Sequence, residues 1–193
     1  MNLANKLTII RICIIPFYVL FIELNTFYSN VFALILFCIA SVTDFFDGHI
    51  ARKNKITTSL GIFLDPIADK LLISAAFICF VGIPVLGIAS WMVITIVSRE
   101  ILIVGLRSFA AYKNIIVPAE QLGKIKTTLQ TIVIVIIMMV LILDIYLITP
   151  NNHKDIILVY ILKKIPFWLT LFTTIFTFFS GISYILKYKK ILQ

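Results

Sequence analysis

Apolar residues dominate six stretches of this chain, near residues 8–24, 31–48, 60–82, 85–111, 122–148 and 156–186. A membrane-crossing helix needs about 20 such residues at a rise of about 1.5 Å each, so the pattern predicts six transmembrane helices. Several stretches exceed that need, which predicts tilt or helices that project into the cytoplasm. No Gly/Ser linker, repeat or low-complexity segment divides them. The expected architecture is one all-α membrane domain over residues 1–193, a six-helix bundle.

Composition agrees with lipid as the solvent. Hydrophobic residues make up 61% and charged residues 13%, against roughly 45–50% and about 25% in soluble domains. A soluble chain of 193 residues lacks the interior volume to hide so much apolar surface. The net charge of +8 comes with no nucleic-acid motif. Basic residues flanking the spans account for it, and no nucleic-acid partner is expected. Cys13, Cys38 and Cys79 lie in apolar runs without CxxC spacing, so they are read as packing residues. The start, Met1 to Arg11, leads into an apolar stretch without a small-residue cleavage site, and is read as the start of the mature protein.

The basic residues also orient the chain. Lys6 and Arg11, then Arg52, Lys53 and Lys55, then Arg107, Lys113, Lys124 and Lys126, then Lys187, Lys189 and Lys190 cluster at alternate ends of the predicted spans. Segments 25–30 and 82–88 hold no Lys or Arg, and the 149–156 loop holds Lys154, with Lys163 and Lys164 just beyond. The positive-inside rule places both termini and the 49–60 and 112–124 loops in the cytoplasm. The expected location is the cell inner (cytoplasmic) membrane, multi-pass.

The chemistry begins with the acids. Of nine Asp and Glu residues, four lie between positions 44 and 69. A charge at the centre of a membrane helix costs roughly 2.5–3.5 kcal/mol on insertion scales, so acids there mark function. Asp44 and Asp47 are spaced i,i+3 at the end of the second stretch, Asp65 and Asp69 i,i+4 at the start of the third. Both spacings put the paired carboxylates on one helix face. Four carboxylates aimed at one point demand cations, and oxygen ligands without His or Cys suit Mg²⁺, Mn²⁺ or Ca²⁺. Two ions about 3.5–4 Å apart would use all four carboxylates and clamp a pyrophosphate. Gly48, Ala51 and Gly61 allow helices or a bulky ligand to approach closely. An enzyme and a cation transporter both fit this chemistry.

The pattern Asp44-x2-Asp47-Gly48-x2-Ala51-Arg52-x8-Gly61-x3-Asp65-x3-Asp69 resembles the signature of the CDP-alcohol phosphatidyltransferase family, matched at all eight fixed positions. Segments 2–11, 63–72, 98–107 and 121–127 resemble, within that family, the bacterial members whose acceptor is glycerol 3-phosphate. Ala4 stands where a proline is common and His49 where an aromatic is common. The resemblance implies a six-helix membrane bundle, often a homodimer, with a polar active-site cavity opening to the cytoplasm. It implies transfer of a phosphatidyl group from CDP-diacylglycerol to glycerol 3-phosphate, releasing CMP. Asp44, Asp47, Asp65 and Asp69 would hold two Mg²⁺ or Mn²⁺ ions, and Asp69 would also be the general base. Gly48, Ala51 and Gly61 would line the cytidine pocket, with Arg52 on the nucleotide or its phosphates. Asn5, Thr8 and Arg11 would approach the nucleotide or lipid headgroup.

An acceptor that carries a phosphate dianion needs its own cationic pocket. Arg99, Arg107, Lys124 and Lys126 are the candidates, since Arg binds phosphate bidentately and Lys supplies a point charge. The alternative for Arg99 is an ion pair with Glu100 or a motif aspartate, and for Lys124 and Lys126 a positive-inside anchor. Lys70 is read as a helix-face charge balancing acidic neighbours. Asp144 and Asp155 are expected at the outer interface, and Trp91 and Trp168 in interfacial belts or packing. Other members of the family, with cardiolipin- or phosphatidylinositol-phosphate-type acceptors, remain the nearest alternatives.

Overall fold

Where the chain has local reasons to turn, it turns. Among the described residues of the computed structural model, 3–54, 59–113, 121–148 and 156–188, there are six long helices and no strand. Side chains at 3–7, 44–54, 59–66, 69, 111, 122, 148 and 156–161 lie outside the description. The helices are α1 (Leu3–Leu24), α2 (Phe27–Asn54), α3 (Ser59–Val81), α4 (Ser90–Tyr112), α5 (Gln121–Ile148) and α6 (Ile156–Tyr188), with a 3-10 turn at Pro84–Leu86. Asn25 ends α1 at φ 45°, a left-handed position that Asn tolerates better than most residues. Thr26 then caps α2 reciprocally. The Ser29 N–H donates to Thr26 Oγ1 at 3.2 Å, and the Thr26 N–H donates to Ser29 Oγ at 2.9 Å. This is a capping box with serine in the third position.

The solvent of this fold is legible in what it hides. Its interior holds Thr8, Arg11, Asn30, Glu100, Lys126, Gln130, Asp144 and a hydroxyl stripe along α6, Thr170, Thr173, Thr174, Thr177 and Ser180. Its outside carries Phe17, Leu20, Phe32, Ile94, Ile101, Trp168, Phe172 and Phe179, all more than half exposed. A water-soluble protein distributes these groups the other way. On α6 the buried hydroxyls are partly satisfied by their own helix: Thr173 and Thr174 donate to the carbonyls of Leu169 and Thr170, both at 2.8 Å. With lipid outside, apolar burial gives little drive for helix association, and close packing must supply it. Fully buried Ala33 and Ala40 on α2, and Ala68 and Ala76 on α3, are the small residues that allow it. They accompany a core of Tyr18, Phe37, Phe77, Phe80, Ile96, Ile134 and Ile137.

Among the described residues two helices, Gly123–Leu147 and Leu162–Tyr188, are long and apolar enough to cross a membrane alone. Phe27–Thr43 and Lys70–Val81 are shorter apolar segments. In α4 three charged residues, Arg99, Glu100 and Arg107, interrupt the apolar run. At 33 residues, α6 is about 50 Å long, well beyond a hydrocarbon core of about 30 Å.

Two expectations change in detail. Cys13 and Cys38 are exposed on the apolar exterior rather than packed inside, and only Cys79 is half-buried. Asp144 is buried, with Lys163 Nζ 3.8 Å from its carboxylate. Asp155 and His49 lie outside the described side chains.

Candidate active site

Helical spacing aligns the first functional face. Arg99, Ile103 and Arg107 recur at i,i+4,i+8 on α4, with Glu100 and Val104 one position on. The same face logic brings Gly123, Lys124, Thr127 and Thr128 together at the start of α5. The end of α4, the start of α5 and the end of α6 meet around a cavity of about 330 Å³. Among the described residues Lys70, Arg99, Arg107, Lys124 and Lys126 line it together with the carboxylate of Glu100. The four cations expected to form an acceptor pocket therefore face one space, joined by Lys70 from α3. A lining so rich in cations suits an anion, and partial desolvation strengthens each contact.

The cations are not equivalent. Lys126 is 1% exposed and its ammonium touches the carboxylate of Glu100, itself 3% exposed. Lys70 Nζ lies 3.6 Å from the other oxygen of Glu100, and Arg99 Nη1 lies 3.7 Å from the first. Glu100 thus gathers three cations into the cavity floor. Lys70 balances this acid on α4, whereas the side chain of its neighbour Asp69 is outside the description. Arg107 and Lys124 are exposed and face the opening. For Arg99 both readings of the sequence coexist: it lines the cavity and it pairs with Glu100.

Sequence reasoning missed α6. Arg99 Nη2 donates to Ser180 Oγ at 3.0 Å, and the stem of Arg99 crosses α6 at Gly181. A Cβ there would stand 2.9 Å from Arg99 Cγ, so glycine is what permits the crossing. Tyr184 lines the cavity, and Arg107 Nε donates to its hydroxyl at 3.2 Å. The available signal was a Ser-Gly pair and a tyrosine inside an apolar run, which is ordinary in membrane helices.

The remaining expected residues divide in two. Thr8 and Arg11 are buried on α1, which packs against α2 and α3. They are not among the residues lining the cationic cavity. The side chains of Asn5, Asp44, Asp47, Gly48, Ala51, Arg52, Gly61, Asp65 and Asp69 lie outside the description. The backbone is helical through Asp44 and Asp47 on α2 and through Asp65 and Asp69 on α3, which preserves the same-face spacing of each pair. Among the described residues no His, Cys, Asp and Glu cluster could hold a metal.

The buried pair yields a stability prediction. Glu100→Leu strips Lys126 of the carboxylate it touches, and removing one partner of a buried ion pair costs about 3–5 kcal/mol. Thermal denaturation of the purified protein in detergent should show a clear loss. Adding Lys126→Met should recover much of it. An unchanged melting temperature in Glu100→Leu would show that the pair contributes nothing.

An α-helical membrane bundle with a cationic cavity, and with one carboxylate pair in the sequence of α2 and another in that of α3, defines a class, and sequence comparison agrees with it. Residues 1–179 match the CDP-alcohol phosphatidyltransferase family, and the chain belongs to that family. It is similar to proteins named CDP-diacylglycerol–glycerol-3-phosphate 3-phosphatidyltransferase. The Rickettsia felis protein is 39% identical over 189 residues, 98% of this chain and 96% of that one. The Bacillus subtilis protein is 43% identical over 146 residues, covering 69% and 74%. The Escherichia coli protein is 39% identical over 137 residues, covering 68% and 73%. Of the two classes the acidic cluster allows, an enzyme and a cation transporter, the chain is in the enzyme class.

Proposed function

We propose that this enzyme transfers the phosphatidyl group of CDP-diacylglycerol to glycerol 3-phosphate, giving phosphatidylglycerophosphate and CMP. The observation that carries the choice of acceptor is the convergence of Arg99, Arg107, Lys124 and Lys126 on one cavity. A neutral alcohol needs no such charge, and a phosphate dianion does. The names of relatives that span nearly the whole chain support the same substrates.

In this reading Asp44, Asp47, Asp65 and Asp69 would hold two divalent ions, Mg²⁺ or Mn²⁺, as their all-carboxylate donor set suits. When bound, such ions neutralise a diphosphate and stabilise a leaving phosphate. Asp69 removes the proton from the primary hydroxyl of glycerol 3-phosphate. The freed oxygen forms a bond to the β-phosphorus while the bond from that phosphorus to the CMP oxygen breaks. Arg107 and Lys124 hold the acceptor's phosphate, and Arg99, which pairs with Glu100 and donates to Ser180, lines the cavity beside them. Fixing both reactants in this way removes most of the entropic part of the barrier. Gly48, Ala51, Gly61 and Arg52 would receive the nucleotide, with Asn5, Thr8 and Arg11 toward the headgroup.

Six spans in the inner membrane, with cavity and termini in the cytoplasm, complete the proposal. Its support is the basic residues at the cavity end of the bundle, where α4 ends, α5 begins and α6 ends. Homodimeric assembly is supported by the family resemblance.

The test is steady-state kinetics against both substrates. Arg107→Ala and Lys124→Ala should each raise the KM for glycerol 3-phosphate, leaving that for CDP-diacylglycerol nearly unchanged. A lost contact to a charged group is worth about 1.5–3 kcal/mol, a ten- to hundred-fold effect. Arg99→Ala should do the same, and Arg99→Lys should rescue only in part, because a point charge does not replace a bidentate fork. Unchanged acceptor KM in all of these variants would remove the cavity from acceptor binding.

A further inference from the structure

The cavity's open side is served by an arginine on one helix and a tyrosine on another. Arg107 is exposed, and an exposed arginine samples many rotamers unless something holds it. Tyr184 is itself held. It is 3% exposed on α6, and its ring lies 4.8 Å from that of Tyr188, one turn further on. Its hydroxyl accepts from Arg107 Nε at 3.2 Å, and the guanidinium carbon of Arg107 lies 5.7 Å from the ring centroid. The bond at Nε engages the one nitrogen nearest the stem. With Nε engaged, the two terminal nitrogens are the remaining bidentate pair, and such a pair matches two oxygens of a phosphate.

We propose that Tyr184 is a positioning residue for the acceptor: it fixes Arg107 so that the terminal guanidinium edge, rather than the Nε side, meets the phosphate. The inference rests on the reading of the cavity as the acceptor site. Tyr184 acts through Arg107, so its contribution exists only while Arg107 is present. It also ties α6 to α4 at the mouth of the cavity, making acceptor affinity depend on a helix that carries no acid of the signature motif.

Tyr184→Phe is the test, since it keeps the ring and its packing and removes only the accepting oxygen. The expected result is an acceptor KM raised about three- to ten-fold, the range for one ordinary hydrogen bond and less than the loss of a direct contact to the phosphate. The KM for CDP-diacylglycerol should not move, which separates positioning from general damage to the fold. In the Arg107→Ala background the same substitution should add less than about two-fold, because the two residues act as one unit. A parental acceptor KM in Tyr184→Phe, with that of Arg107→Ala raised, overturns the positioning role and leaves the acceptor site standing. A full additional rise in the Arg107→Ala background also overturns it, since Tyr184 would then act independently. If Arg107→Ala and Lys124→Ala both keep the parental acceptor KM, the acceptor reading falls, and the inference falls with it.

Discussion

EDTA is expected to abolish phosphatidyl transfer by the purified protein, and Mg²⁺ or Mn²⁺ to restore it. The reason is electrostatic. Asp44 and Asp47 share one face of α2, and Asp65 and Asp69 share one face of α3, within 26 residues of sequence. Like charges held together disfavour their own ionisation, and without counter-charge some of the four would take up protons. Lys70 also faces Glu100, and one ammonium group does not offset four carboxylates. Oxygen donors alone favour hard cations, so Mg²⁺ or Mn²⁺ should restore activity after the chelator is removed. Undiminished activity in chelated buffer would sink the two-ion reading while leaving the acceptor cavity untouched.

Asp69→Asn should slow turnover by roughly 10²–10⁴-fold, the usual contribution of a general base. The amide is nearly isosteric and keeps an oxygen that can accept, so CDP-diacylglycerol binding should largely survive. A binding measurement with the donor lipid, beside a rate measurement of CMP release, separates the two effects. Loss of both together would make Asp69 a ligand only. Near-normal turnover would remove it from the proton transfer.

The helices were legible because the property that makes them is local. A long apolar run in lipid must satisfy its own backbone, and an α-helix does so within one segment. Thus the stretch at 122–148 is α5, Gln121–Ile148, and that at 156–186 is α6, Ile156–Tyr188. Errors fall where polar residues decide the boundary. Helix α2 begins at Phe27 rather than near 31 because Thr26 and Ser29 cap it, and it runs on to Asn54 through polar residues. Helix α4 begins at Ser90 rather than near 85 because Pro84–Leu86 forms a 3-10 turn closed by Gly87 at φ 61°.

Charge in an apolar run is conspicuous, so Arg99, Arg107, Lys124 and Lys126 stand out in the sequence as candidates. Their contacts do not. Glu100 gathers Lys70, Arg99 and Lys126 because α3, α4 and α5 pack at one level, and no spacing rule joins residues 70, 100 and 126. The partners of the two arginines lie further still. Ser180 is 81 residues from Arg99, and Tyr184 is 77 from Arg107. Serine, glycine and tyrosine are ordinary in a membrane helix until another helix crosses them. Sequence by itself determined the family, the six helical segments and the charges that an anionic acceptor requires, since each is written in local composition or a spaced motif. Only the tertiary structure decided which cations are buried in pairs and which face the opening, because helix register and crossing point are properties of the packed bundle.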